Sequence, residues 1–250
     1  MGTVHAAKAG AVEPSLAGSR SSARPAPASK AKVMKMANNK TKAHTKYITR
    51  DGRVVPSVTT IINDSLGWNK QQLIAWARKL ALAGTDPNKA RDEAADIGTL
   101  AHYLIQCHLQ GTKPDTSQYS PANVDKAENC FLAYLEWEKG HIQKVIATEQ
   151  QMVSEKYLYG GTADLVAIVD GELAIVDYKS SNGLYPEYKI QVAAYLKVYE
   201  EIEGVLPKGH LLQLGKEDGS FTHHCLGNLD KEWEVFQHCL AIYRLKREIA

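Results

Sequence analysis

No apolar run in this 250-residue chain approaches the roughly 20 residues that cross a bilayer, so no membrane partner is expected. Cysteine is scarce. Cys107, Cys130, Cys225 and Cys239 form no C-x-x-C pair. Their spacing argues against a cysteine-held zinc or iron–sulfur centre and fits free thiols in a reducing, intracellular compartment. A Gly-x-x-x-x-Gly-Lys phosphate loop is also missing, which leaves the chain without an ATP motor of its own. The first residues lack the apolar stretch of a secretion signal, and Ala6 stands where a myristoylation signal wants Ser or Thr. No internal repeat occurs.

What is present is unevenly charged. The formal net charge is +2, yet residues 1–50 hold ten Lys/Arg against a single acid, Glu13. The rest therefore carries 20 bases and 27 acids. The stretch 1–46, with "SLAGSRSSARPAPASKAK" at its centre, reads as a disordered basic tail. Phosphate binding and organelle targeting are alternative uses for it, and Met34 and Met36 offer internal starts.

Periodicity divides the remainder, 47–250, into a mainly helical lobe (47–140) and an α/β core (141–250). A short hairpin is expected at Tyr47–Val55, then a short helix opened by Pro56 and Ser57. A second helix carries Leu73, Trp76, Leu80 and Ala83 at helical spacing and stops at Gly84, which predicts a core position for Trp76. Further helices run from Pro87 to Leu109, closed by Gly111, and from the Ser120-Pro121 cap through Trp137. After "KGH" the period changes to a strand, "IQKVIATEQQMVS", followed by a hairpin, a helix from Pro186 and a second hairpin about Asp218-Gly219. A closing helix follows, capped by Asn228 or Asp230.

The first of these hairpins carries the chemistry. In "GTADLVAIVDGELAIVDYK" the Asp170-Gly171 pair is a strong two-residue turn signal. With the turn there, facing residue numbers sum to 341, and Asp164 stands opposite Asp177. Alternation places Asp164, Val166 and Ile168 on one face with Leu173, Ile175, Asp177 and Lys179. Like charges directly opposed across a sheet repel, and the flanking runs are apolar on both faces, so little water is at hand to screen them. A bridging divalent cation relieves the conflict, and hard oxygen ligands favour Mg²⁺ or Mn²⁺, as one or two ions. The plainer alternative is an exposed strand end with an ordinary Asp–Lys ion pair.

These residues resemble the core motif of the PD-(D/E)XK nuclease superfamily. Asp164 stands as its first acid and "DYK" (Asp177, Tyr178, Lys179) as its (D/E)XK element. "QVAAY" is similar to the Q-x-x-x-Y motif of the RecB-like branch, at Gln191 and Tyr195, and "DIGTLAHYLIQ" to its G-x-x-x-H helix, at Gly98 and His102. "VPSVTTII" resembles the segment that opens the domain in phage-type exonucleases and the mitochondrial genome maintenance exonuclease. Two departures are visible: Ala163 replaces the motif's proline, and the cysteines lack the spacing of the iron–sulfur relatives.

The resemblance implies an α/β, restriction-endonuclease-like core, with a central mixed sheet flanked by helices and a helical N-terminal lobe. It also implies a metal-dependent deoxyribonuclease acting on DNA, in the single-strand-preferring exonuclease mode, within replication, repair or recombination and beside the proteins of those processes. A structure-specific or duplex endonuclease and a non-cleaving nucleic-acid-binding module are the alternatives. A cytoplasmic location in a bacterial or phage-infected host is expected, with mitochondria as the alternative.

In this reading Asp164 and Asp177 hold the metal together with His102 and the Tyr178 carbonyl, and Glu149 stands close by. Lys179 orients or deprotonates the attacking water, while Gln191 and Tyr195, one helical turn apart, contact the scissile phosphate or brace Lys179. Ser180 and Ser181 are candidate phosphate donors, and Trp68 and Tyr103 candidate stacking platforms for unpaired bases.

Overall fold

The computed structural model describes residues 45–181 and 183–249; the expected basic tail lies almost wholly outside them. The chain opens with a two-residue ladder, β1 (Tyr47–Ile48) against β2 (Val54–Val55). Four helices follow: α1 (Val58–Ser65), α2 (Lys70–Leu82), α3 (Pro87–Gln110) and α4 (Pro121–His141). Their starts are written locally. Ser57 Oγ accepts from the Thr60 amide, Asp86 from Asn88 and Ser120 from Asn123, with Pro87 and Pro121 supplying the fixed φ of a first turn.

β3 (Ile142–Ser154), β4 (Tyr159–Val169) and β5 (Glu172–Lys179) form an antiparallel meander. Helix α5 (Pro186–Glu203) then crosses to β6 (Lys208–Leu214), which lies parallel to β5. β7 (Phe221–Leu226) completes a five-stranded mixed sheet in the order β3-β4-β5-β6-β7, and α6 (Asp230–Glu248) closes the chain. This is the expected α/β architecture, a central mixed sheet flanked by helices with a helical N-terminal lobe. No helix among the described residues is long and apolar enough to cross a membrane.

Two apolar layers sandwich the sheet. Val58, Ile61, Val166, Ile175, Val192, Tyr195, Leu211 and Phe236 pack the side of α1, α5 and α6. Leu100, Leu104, Tyr134, Trp137, Leu165, Val176, Tyr178 and Leu212 pack the side of α3 and α4. With both faces covered, β4 and β5 read as near-continuous apolar runs rather than as alternating ones.

Two expectations are corrected. Helix α2 buries none of its residues, and Trp76 is 42% exposed, so its apolar stripe is a surface feature and not core. The cap of α6 is Leu229, with Asp230 already in the first turn; Asn228 instead accepts from the Asp230 amide through its side chain.

Gly161 sets the distance between β4 and α5. A Cβ there would lie 2.4 Å from Cε1 and 2.9 Å from Cδ1 of Tyr195, a buried ring with no room to retreat. Gly161→Ala is expected to destabilise the protein by about 1–3 kcal/mol, read as a lower urea midpoint. Gly140→Ala, where a Cβ meets nothing within 4 Å inside α4, is expected to hold or raise the midpoint.

Candidate active site

The Asp170-Gly171 turn adopts positive φ at both residues (52° and 85°), as the type I′ hairpin requires. The ladder keeps the expected register from Val169↔Glu172 to Leu165↔Val176 and then stops. Asp164 and Asp177 would form the next rung, but the strands have parted. The Tyr178 amide, which a continued ladder would engage through backbone, instead donates to Asp164 Oδ2 at 2.8 Å. One aspartate thus ends the pairing, caps the freed amide and opens a gap between two central strands.

Side chains from five elements converge on that gap. From α3, His102 Nδ1 lies 3.2 Å from Asp164 Oδ1. Gly98, one turn earlier, lets α3 approach, since a Cβ there would sit 3.0 Å from Ser180 Oγ. From β3, Glu149 faces Asp164 and is one of few non-glycine residues with positive φ (48°). A left-handed glutamate inside a strand is strained, and such strain concentrates where a side chain must be aimed. His102, Glu149 and Asp164 offer ligand atoms that all lie within 4.8 Å of one another.

On the α5 side, Lys179 Nζ stands 2.7 Å from Asp177 Oδ2. Gln191 joins the two: its Oε1 accepts from Lys179 Nζ at 3.1 Å, and its Nε2 donates to Asp177 Oδ1 at 3.1 Å and to Tyr195 Oη at 2.8 Å. Carbonyl to ammonium and amide to carboxylate is the only orientation that satisfies both ends. Tyr188, one turn before Gln191, presents its ring 4.6 Å from Lys179 Nζ, a cation–π contact not foreseen from sequence. It shares a helical face with Gln191 at i, i+3, which was the available signal.

Burial and charge set the protonation states. Burial would raise the Asp164 pKa, but His102, Lys179 and the Tyr178 amide outweigh it and hold the carboxyl well below its usual range. Burial pushes Asp177 up to about 6, against the pull of Lys179 and with the repulsion of Asp164. Lys179 loses charge stability to burial and regains more from Asp177 and Asp164, so it stays protonated above its ordinary value.

The donor set fits a hard divalent cation. Asp177 Oδ2 is buried, with the Lys179 ammonium 2.7 Å away. That oxygen lies at the same parted rung as Asp164, where two carboxylates share one ammonium's worth of positive charge beside His102. Three carboxylates and an imidazole suit Mg²⁺ or Mn²⁺ better than a soft metal.

The other sequence candidates stand apart. Ser181 Oγ donates to the Gly183 carbonyl, and the Ser181 carbonyl accepts from Gln213. Tyr103 Oη accepts from the Asp115 amide. Trp68 is 55% exposed and lines a cleft with Leu184, Tyr185, Pro186, Ile190 and Val235, next to the first turn of α5. Ser180 lies against Gly98. Tyr178 turns its ring toward His102 and Tyr134, at centroid distances of 5.6 and 5.5 Å.

No family model matches the chain, and no curated protein matches it in sequence. Among solved structures, a candidate exonuclease from Eubacterium rectale is similar over 62% of this chain, at a TM-score of 0.45 and 16% identity. The chain spans 65% of that protein's length. SSO0001 is similar over 60% of this chain and 74% of its own, at a TM-score of 0.32 and 17% identity. Likeness this distant carries no argument about chemistry, which rests on the residues of the cleft.

Asp177 gives a pH test with a definite sign. A carboxyl whose folded pKa is raised contributes stability that is complete below its unfolded value of 3.8 and is lost as pH rises through about 6. In metal-free protein, Asp177→Asn is therefore expected to gain stability relative to wild type between pH 5 and pH 7.5. Urea unfolding across that range checks it, and a flat difference would contradict the raised value.

Proposed function

We propose that the chain is a metal-dependent nuclease hydrolysing phosphodiester bonds in DNA, working as a single-strand-preferring exonuclease. The observation that carries this reading is the parting of β4 and β5 at Asp164 and Asp177, with Glu149, His102 and Lys179 turned toward the opening. A structural ion pair needs one acid and one base. Three clustered acids, one of them buried and one on a strained backbone, are a cost that cation binding offsets.

Asp164, Asp177, His102 and Glu149 would hold the cation, with the Tyr178 carbonyl as a further oxygen ligand. A divalent ion bound there supplies an activated water and neutralises charge growing on the phosphate oxygens. Lys179 enters protonated, so its part is to orient the attacking water and offset negative charge in the transition state. Gln191 fixes the ammonium and the Asp177 carboxylate relative to one another, and Tyr195 holds the amide from behind. Tyr188 limits where the Lys179 head can swing.

Single-strand preference follows from surroundings outside the cation set. Trp68 and Tyr185, in the separate cleft beside the first turn of α5, present aromatic surface on which unpaired bases can stack. The chain outside residues 1–50 carries an excess of acids, the opposite of a broad duplex-binding face.

The test uses end-labelled linear and covalently closed circular single strands with Mg²⁺ or Mn²⁺. Wild type is expected to shorten linear strands and spare circles. Asp164→Asn, Asp177→Asn and Lys179→Met are expected to lose roughly 10²–10³-fold or more of the rate, and Glu149→Gln about tenfold or more. Mutants as active as wild type would end the proposal. Cut circles would reassign the enzyme as an endonuclease, and binding of strands without cleavage would make it a recognition module.

A further inference from the structure

At the opposite end of the sheet lies a second cluster that the cleft chemistry does not use. His141 ends α4, Asp170 occupies the β4–β5 turn, His223 sits on β7 and His210 on β6. His141, Asp170 and His223 offer ligand atoms all within 4.8 Å of one another. We infer that these three residues form a binding site for a borderline transition-metal ion, Zn²⁺ in first place, that pins the end of α4 to the hairpin turn and to the edge strand.

Three features support a ligand site over a chance meeting of polar groups. The first is donor chemistry: two imidazoles and one carboxylate, without cysteine, are a set that zinc takes with a solvent molecule in the fourth position. His141 Nδ1 already lies 2.9 Å from Asp170 Oδ1 and 3.1 Å from Oδ2. Zinc bonds of 2.0–2.1 Å at the tetrahedral angle need ligand atoms about 3.3 Å apart, so a cation would replace the proton shared by this pair with little movement.

The second is pre-organisation. The Asp170 amide donates to the His141 carbonyl at 3.0 Å, and the Gly171 amide to Gln143 Oε1 at 3.1 Å, so the turn is docked on the end of α4 before any ligand arrives. Asp170 takes positive φ as the turn demands, which fixes the side from which its carboxylate approaches.

The third is the shell behind the ligands. His210, 3% exposed, places Nδ1 2.7 Å from His223 Nε2. A contact that short between ring nitrogens needs one donor and one acceptor, so at least one of the two rings is neutral. The two rings lie within 21° of coplanar with centroids 4.9 Å apart, as an in-plane hydrogen bond requires. Trp137, wholly buried, stacks on His141 at 5.6 Å and meets His223 edge-on at 5.3 Å. Ligand histidines characteristically have such a second partner that fixes ring orientation. Asp170 and His141 keep side chains 50% and 30% exposed, so an ion can enter from solvent. Asp170 lies six residues along the chain from Asp164, about 20 Å, so the site is separate from the cleft.

The test is calorimetric titration of metal-free, full-length protein with Zn²⁺ alone, with native mass spectrometry to count bound ions. It is run on a cleft-disabled variant (Glu149→Gln, Asp164→Asn, Asp177→Asn) and on wild type with saturating Mg²⁺, in case that variant folds poorly. One zinc is expected in either background. Adding Asp170→Asn or His141→Gln is expected to weaken it at least tenfold, with an unchanged far-UV spectrum. Co²⁺ in place of Zn²⁺ should give visible absorption that the same substitutions remove. Absence of zinc from the cleft-blocked protein, or equal affinity after both substitutions, would overturn the site. Nuclease activity is read separately and bears on neither outcome.

Discussion

The structure turns on one broken rung. Strands β4 and β5 pair in register from their turn to Leu165↔Val176 and then separate. Asp164 is the cause and the beneficiary. Its carboxylate takes the Tyr178 amide, so the parting leaves no orphaned donor, and the gap that opens is where Asp177, Lys179, Glu149 and His102 gather. In a paired rung the two acids would repel within a continuous apolar sheet. Separated, they can share a cation.

Everything around the gap holds it in shape. α5 crosses from β5 to β6 and delivers Gln191, whose single amide satisfies Lys179, Asp177 and Tyr195 at once. α3 delivers His102 across the other face, with Gly98 permitting the approach. Gly161 lets the Tyr195 ring lie flat on β4. The two apolar layers make these placements stiff, since the helices cannot slide without disturbing close-packed side chains. The same stiffness explains why strain at Glu149 is tolerated: the pairs Thr148↔Leu165 and Gln150↔Ala163 hold the backbone before and after it.

Local chemistry made much of this legible in the sequence. Asp170-Gly171 identified the turn, and from the turn the register as far as Leu165↔Val176 followed by counting. Helix starts at Ser57, Pro87, Ser120 and Pro186 were readable because capping is a matter of adjacent residues. What escaped was set by tertiary geometry. Register arithmetic assumes an unbroken ladder, so it could not foresee that Asp164 would end one. The apolar stripe of α2 carries core periodicity, yet no element among the described residues buries it. Glu149 owes its aim to a backbone conformation that periodicity does not encode. His141, Asp170, His210 and His223 span more than eighty residues, and only the α4 and β6–β7 placements bring them together.

The central claim is that the opening between Asp164 and Asp177 is a divalent-cation site. Anomalous-difference density from crystals grown with Mn²⁺ tests it most directly. The account predicts a peak within about 2.0–2.6 Å of carboxylate oxygens from both aspartates, with the Lys179 ammonium displaced from Asp177 Oδ2 toward open cleft. No peak at saturating Mn²⁺, with Lys179 still closed on Asp177, would contradict it.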